Sequence, residues 1–186
     1  MNRKGFTLLE LMVILGIFAI LATIAIPGFN AWIPNQKLRS TARDLFSDLN
    51  MAKLNSLKDA NTLVVVKVDP NNEKYTIWLD TVLNWALDGT EEILLKIVLP
   101  GEPLDETWKR TRTEGIDIIS TTMPFNTFAF SSRGMTASDL DPPTSGDSYD
   151  VYMKNSKERY MGVRISRAGS ISIIKSTDGG TTWISD

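Results

Sequence analysis

Residues 4–34 read Lys4-Gly5-Phe6-Thr7-Leu8-Leu9-Glu10 followed by LMVILGIFAILATIAIPGFNAWIP. From Leu11 to Gln36 there is no charged residue, and between Phe6 and Gln36 the single charge is Glu10, in a chain that is 23% charged overall. Arg3 and Lys4 precede this run. Counted from Phe6 to Ile26 it is 21 residues long, or about 31 Å of helix at ~1.5 Å per residue, which matches a hydrocarbon core of ~30 Å. Basic residues before the run and none just after it predict an amino end on the cytoplasmic side. The best small-residue site near its end, Thr23-Ile24-Ala25, matches a signal-peptidase site poorly. A helix of a soluble core would not need so long an uncharged stretch.

Glu10 is the residue these readings leave unexplained. A carboxylate at the start of an apolar helix is costly without a cationic partner. Hydrolysis after Gly5 would create one: the new α-amino group on Phe6 would lie four residues before Glu10, on the same chain or on a neighbouring subunit.

Gly5, Phe6, Thr7, Leu8, Glu10 and Pro27 together closely resemble the class III leader of type IV pilins and type II secretion pseudopilins. The resemblance implies cleavage after Gly5 by a prepilin peptidase, N-methylation of Phe6, and a role for Glu10 in guiding assembly against the N-terminal amine of the preceding subunit. It also implies a helix that bends at Pro27, where a proline removes a backbone hydrogen bond and clashes with the preceding turn. Pro34 repeats the effect seven residues later.

From Asn35 the pattern becomes amphipathic. Leu38, Ala42, Leu45, Leu49 and Ala52 recur at helical spacing, with Phe46 beside them and Leu54 and Leu57 extending the face, while Arg43, Asp44, Asp48 and Lys53 fill the other sides. This predicts a stem helix over 35–61. Beyond Asn61 the period is that of strands: Leu63–Val68 and Tyr75–Leu79 across Asp69-Pro70-Asn71-Asn72, then Ile93–Leu99, Ile116–Ile119, Phe125–Phe130, Tyr149–Met153, Met161–Ile165 and Ile171–Lys175. Val82–Leu87 is ambiguous between a helical turn and a strand. With no long helical pattern between the strands, an antiparallel sheet or sandwich packed on one helix is expected.

The expected fold is therefore α+β: a long N-terminal membrane-spanning helix continuing into an amphipathic stem packed on an antiparallel β-rich head. Its divisions are a leader at 1–5, a transmembrane helix and assembly segment at 6–33, the stem at 35–61 and a periplasmic head at 62–186. Phe128-Ala129-Phe130-Ser131-Ser132-Arg133-Gly134 and Val163-Arg164-Ile165-Ser166-Arg167-Ala168-Gly169, each in its place after the stem, resemble the GspH/FimT type of minor pseudopilin and minor pilin. The resemblance implies a structural subunit, single-pass in the bacterial inner membrane and surrounded there by lipid. It would sit at or near the tip of a type II secretion pseudopilus. Its partners would be the prepilin peptidase, other major and minor pseudopilins and secreted substrates. A minor type IV pilin acting in pilus assembly or DNA uptake is the alternative.

Composition narrows the chemistry. Histidine and cysteine are both absent, so no Ser-His-Asp triad, Cys-His pair or histidine zinc site exists, and no enzyme and no cofactor are expected. The net charge of −2 argues against sequence-independent nucleic-acid binding. Arg159, Arg164, Arg167 and Lys175 nevertheless form a basic group across the last strands, read either as isolated surface charges or as a DNA or partner contact. Lys109-Arg110-x-Arg112 is a second basic feature. Gly134–Met153 holds Asp139, Asp141, Asp147 and Asp150 and no basic residue, which reads as a solvated loop. Near the C-terminus only Asp178 and Asp186 supply carboxylates, too few for a calcium shell, so no metal site is expected.

Overall fold

The computed structural model describes residues 6–87, 89, 91–98, 109–111, 113–123, 126–137 and 148–185. One helix, α1 (Leu8–Ser56, 49 residues), opens the fold. It runs without interruption past positions 27 and 34. Two sheets follow. The first contains β1 (Leu63–Asp69), β2 (Lys74–Asp80), β3 (Glu92–Val98), β4 (Lys109–Thr111), β6 (Thr127–Phe130) and β7 (Thr136–Ala137), in the order β4-β3-β2-β1-β6-β7. The second contains β5 (Ile116–Thr121), β8 (Ser148–Asn155), β9 (Tyr160–Ser166), β10 (Ile171–Ser176) and β11 (Ile184–Ser185), in the order β11-β10-β9-β8-β5. All pairings are antiparallel except β3 with β4, which is parallel. The short strands β4, β7 and β11 have too few residues to show a period, and none is anticipated from sequence. Val82–Leu87 is neither helix nor strand.

The α+β class holds, but its membrane-spanning element does not. Among the described residues no helix is long and apolar enough to cross a membrane. This overturns the transmembrane helix expected over 6–33. With it go the single pass through the inner membrane, the cytoplasmic and periplasmic assignment of the two ends, and the surrounding lipid.

The core lies where the second half of α1 meets both sheets. Leu38, Ala42, Leu45, Leu49 and Ala52 are all buried, as their 4-3-4-3 spacing predicts. Against them pack Val64, Val66, Val68 and Ile77 from the first sheet and Val151, Met153, Val163 and Ile165 from the second. Phe128 joins the layers: it meets Phe130 edge-on at 5.3 Å within its own strand and stacks on Tyr149 of the second sheet at 5.5 Å. Leu54 and Leu57 do not extend the stripe; both are exposed. The helix stops at Ser56, whose hydroxyl donates to the Lys53 carbonyl, rather than near Asn61.

The two segments that carry the family resemblance meet at the last turn of α1. Lys53 Nζ donates to the Gly169 carbonyl at 2.8 Å, and the Thr136 amide donates to the Arg167 carbonyl at 3.1 Å. Gly169 has φ +75°, and a Cβ there would overlap the Gly134 carbonyl oxygen, so backbone packs directly on backbone. Gly179 has nearly the same φ, +76°, but open space around it. Gly169→Ala is therefore expected to lower unfolding free energy by at least about 2 kcal/mol, against about 1 kcal/mol for Gly179→Ala. Urea denaturation of the two variants checks this, and equal losses would show that the Gly134–Gly169 contact does not matter.

Candidate functional site

The N-terminus of α1 begins with a cap. Thr7 is extended (φ −80°, ψ 150°), and its hydroxyl accepts from the Glu10 amide at 3.2 Å. The Thr-x-x-Glu spacing is a helix-start pattern that sequence reading passed over in favour of the Glu10 charge. A carboxylate in the first turn is also favourable against the helix dipole. Every described residue from Phe6 to Thr23 is exposed, with Phe6 at 78% and Leu8 at 77%. Gly5 lies outside the described residues, as does the side chain of Pro27.

The four basic residues of the last strands do not converge. Arg159 and Lys175 share a cleft of about 330 Å³ with Arg39 beside α1. Arg167 is exposed on the turn at the opposite end of β9. Arg164 is already engaged. It stands opposite Asp150 in the β8–β9 register and holds it bidentately, with Nη2 at 2.7 Å from Oδ2 and Nε at 3.0 Å from Oδ1.

Asp150 is thus not part of a solvated loop. The solvated loop expected over Gly134–Met153 does not include it: Asp150 belongs to β8 and is 3% exposed, while Asp139, Asp141 and Asp147 lie outside the described residues. Its backbone is fixed by Thr122, whose hydroxyl accepts from the Asp150 amide at 2.8 Å. Tyr152, two residues on and on the same face, donates its hydroxyl to Asp150 at 2.9 Å and stacks on Trp183 at 4.3 Å. Burial, then the bond to Asp150, pushes the Tyr152 phenol up to about 12. The bonds from Asp150 likewise raise the Arg164 guanidinium. The cluster therefore carries no net charge and ties the C-terminal segment to the outer face of the second sheet.

A second buried carboxylate sits on the stem. Asp48 is 4% exposed, accepts from the Tyr75 hydroxyl at 2.6 Å, and is held by Arg110 Nη1 at 2.8 Å. Burial raises its pKa despite these two bonds, and burial, with the neighbouring Asp48 charge, raises the Tyr75 phenol too. Sequence reading placed Asp48 outside the stripe, yet it lies three residues after Leu45 and four before Ala52, on the buried face. That spacing was the available sign. Its partner Arg110 comes from a three-residue strand that no periodicity announces; Arg112 of the same basic feature lies outside the described residues.

Neither cluster holds a nucleophile, a general base poised beside open space, or a group of three metal-ligating side chains among the described residues. Both are ion pairs that fasten elements together. Residues 1–26 match the prokaryotic N-terminal methylation motif, and residues 41–169 match the type II transport protein GspH family, well over half of the chain. Among solved structures, the minor pseudopilin EpsH from the type II secretion system of Vibrio cholerae superposes with a TM-score of 0.51 at 10% identity, over 76% of this chain and 99% of that one. Among curated proteins no sequence matches significantly.

The family model, together with the fold, makes this chain a minor-pseudopilin-like structural subunit. The chain belongs to the GspH family. Family membership gives it other pseudopilins of the type II apparatus and the processing peptidase as general partners.

Removing the Arg164 cation leaves Asp150 buried with only the Tyr152 hydroxyl and its own backbone bonds. Arg164→Gln is expected to cost about 2 kcal/mol in urea denaturation, below the range for fully buried pairs because the Arg164 side chain is 37% exposed. Asp150→Asn combined with Arg164→Gln should recover much of the loss. Lack of recovery would show that the pair is not the cause.

Proposed function

We propose that this chain is processed after Gly5 to a mature N-terminus at Phe6, which is N-methylated, and that it acts at or near the tip of a pseudopilus that supports export of folded proteins. The observation that carries the reading is the exposed apolar end of α1. Every described residue from Phe6 to Thr23 is uncovered by the head, and so long an apolar surface on a helix calls for lateral contact with the equivalent helices of neighbouring subunits. The N-terminal methylation motif over 1–26 supports the processing step. Other major and minor pseudopilins are the direct neighbours, and secreted substrates meet the head. In DNA uptake several cations must face phosphate together, and with Arg164 spent on Asp150 and Arg167 distant from Arg159 and Lys175 that condition is poorly met.

Glu10 supplies the selective contact in this arrangement. Its carboxylate is exposed, and the cap of α1 uses only its backbone amide. Glu10→Leu therefore leaves the Thr7 cap intact while removing the charge that meets a neighbour's N-terminal ammonium. The intact mass of the protein isolated from cells should correspond to residues 6–186 plus one methyl group; a mature N-terminus near Ile26 would refute the processing step. Glu10→Leu should abolish co-purification with the other minor subunits, and unchanged recovery would refute the role of Glu10.

A further inference from the structure

On the outer face of the first sheet, away from α1, one lateral row of residues crosses four strands in register: Thr127 of β6 opposite Lys67 of β1, Lys67 opposite Thr76 of β2, and Thr76 opposite Lys96 of β3. Lys67 is exposed and Lys96 half-buried, and neither makes an ion pair among the described residues. The adjoining row is apolar: Ala129, Val65 and Trp78, all buried.

Trp85 packs over that apolar row from the segment after β2. The segment is held rigidly. Asp80, fully buried, accepts from the backbone amides of Val82, Leu83 and Asn84 at Oδ1 and of Trp85 at Oδ2, the shortest at 2.7 and 2.8 Å. In return Leu83 and Trp85 take left-handed backbone, φ 61° and 62°, which non-glycine residues adopt only under constraint and which gathers at binding sites. Between Trp85 and the sheet lies a cleft of about 440 Å³ bordered by Lys67 and Trp78, a size typical of ligand sites. Trp78 is 1% exposed, and its indole N–H is buried without a hydrogen-bond partner. A buried donor of that kind costs free energy until an acceptor reaches it.

We propose that this cleft binds an extended acidic peptide segment of another protein, with a backbone carbonyl accepting from Trp78, an apolar or aromatic side chain against Trp85, and carboxylates on Lys67 and Lys96. Lys67 and Lys96 are two strands apart, about 9.6 Å, and carboxylates on one face of an extended peptide recur every ~7 Å; flexible lysine stems take up the difference. Charge complementarity selects the occupant: among the described residues the row carries the two cations Lys67 and Lys96, separated by Thr76, and no carboxylate, on a chain of net charge −2. A peptide offers a neutral carbonyl for the indole N–H, an apolar side chain for Trp85 and carboxylates for the lysines together, whereas an oligonucleotide offers only charged phosphates and bases. The inference stands independently of the tip assignment.

The test titrates the full-length chain into a short fluorescein-labelled peptide of alternating aspartate and phenylalanine, read by anisotropy, with oligothymidylate and the lysine-for-aspartate peptide as competitors. Saturable binding of the acidic peptide is expected, weakened about tenfold by Lys67→Glu with Lys96→Glu. Trp78→Phe, which removes the donor and keeps most of the ring, should weaken it several-fold, with thermal melting confirming that each variant is folded. No binding by the unaltered chain, binding that survives the double charge reversal in folded protein, or preferential displacement by oligothymidylate would each overturn the proposal.

Discussion

Burial of the stripe Leu38, Ala42, Leu45, Leu49 and Ala52 beneath two sheets at once is the constraint on which the head depends. A strand pair alone is marginal in water, and a small sheet needs a hydrophobic face against which to close. Here both sheets use the same helical face, and they touch each other through Phe128 and Tyr149. The first sheet contributes a valine-rich strand, β1, whose residues 64, 65 and 66 are all buried because both of its faces are covered. One face meets α1. The other meets Trp78 and Trp85.

Three of the buried carboxylates, Asp48, Asp150 and Asp80, then fix what apolar packing leaves free, and each is satisfied differently. Asp48 joins helix to first sheet through a phenol and a guanidinium. Asp150 joins β8 to β9 through a guanidinium alone, with a phenol beside it. Asp80 makes no ion pair among the described residues and is held by four backbone amides, so that it shapes a loop rather than joining two elements. In each case a lone carboxylate would be costly at such depth, and the donors present account for its tolerance.

Much of this was legible in the sequence. The helical stripe and the eight main strands follow from spacing and β-branched runs, and the processing motif from local residue identity, because all of these depend on neighbours in the chain. What was not legible depends on distance. Asp150 was grouped with the aspartates before it because composition does not mark where a loop becomes a strand; only Arg164, fourteen residues away, reveals that it is buried. Asp48 was betrayed by its helical position, but the meaning of that position rests on Arg110, sixty-two residues on, in a strand too short to recognise. The apolar run from Leu11 suggests a span by its length, yet among the described residues no helix is long and apolar enough to cross a membrane.

The continuity of α1 has a mechanical consequence. A helix of 49 residues is about 73 Å long, and only its second half is clamped by sheet. The remainder is a cantilever, and any sideways load on its free end produces the largest bending moment at the root, where support begins. That root lies at Pro34–Leu38. There Pro34 cannot donate to the carbonyl one turn back, and two ties brace the same place: Asn155 Nδ2 donates to Asn35 Oδ1 at 2.9 Å, and Lys37 Nζ donates to the Glu114 carbonyl at 3.4 Å. Pro34 thus removes a backbone hydrogen bond where the bending moment is largest, and the two ties carry that load from the rod into the head.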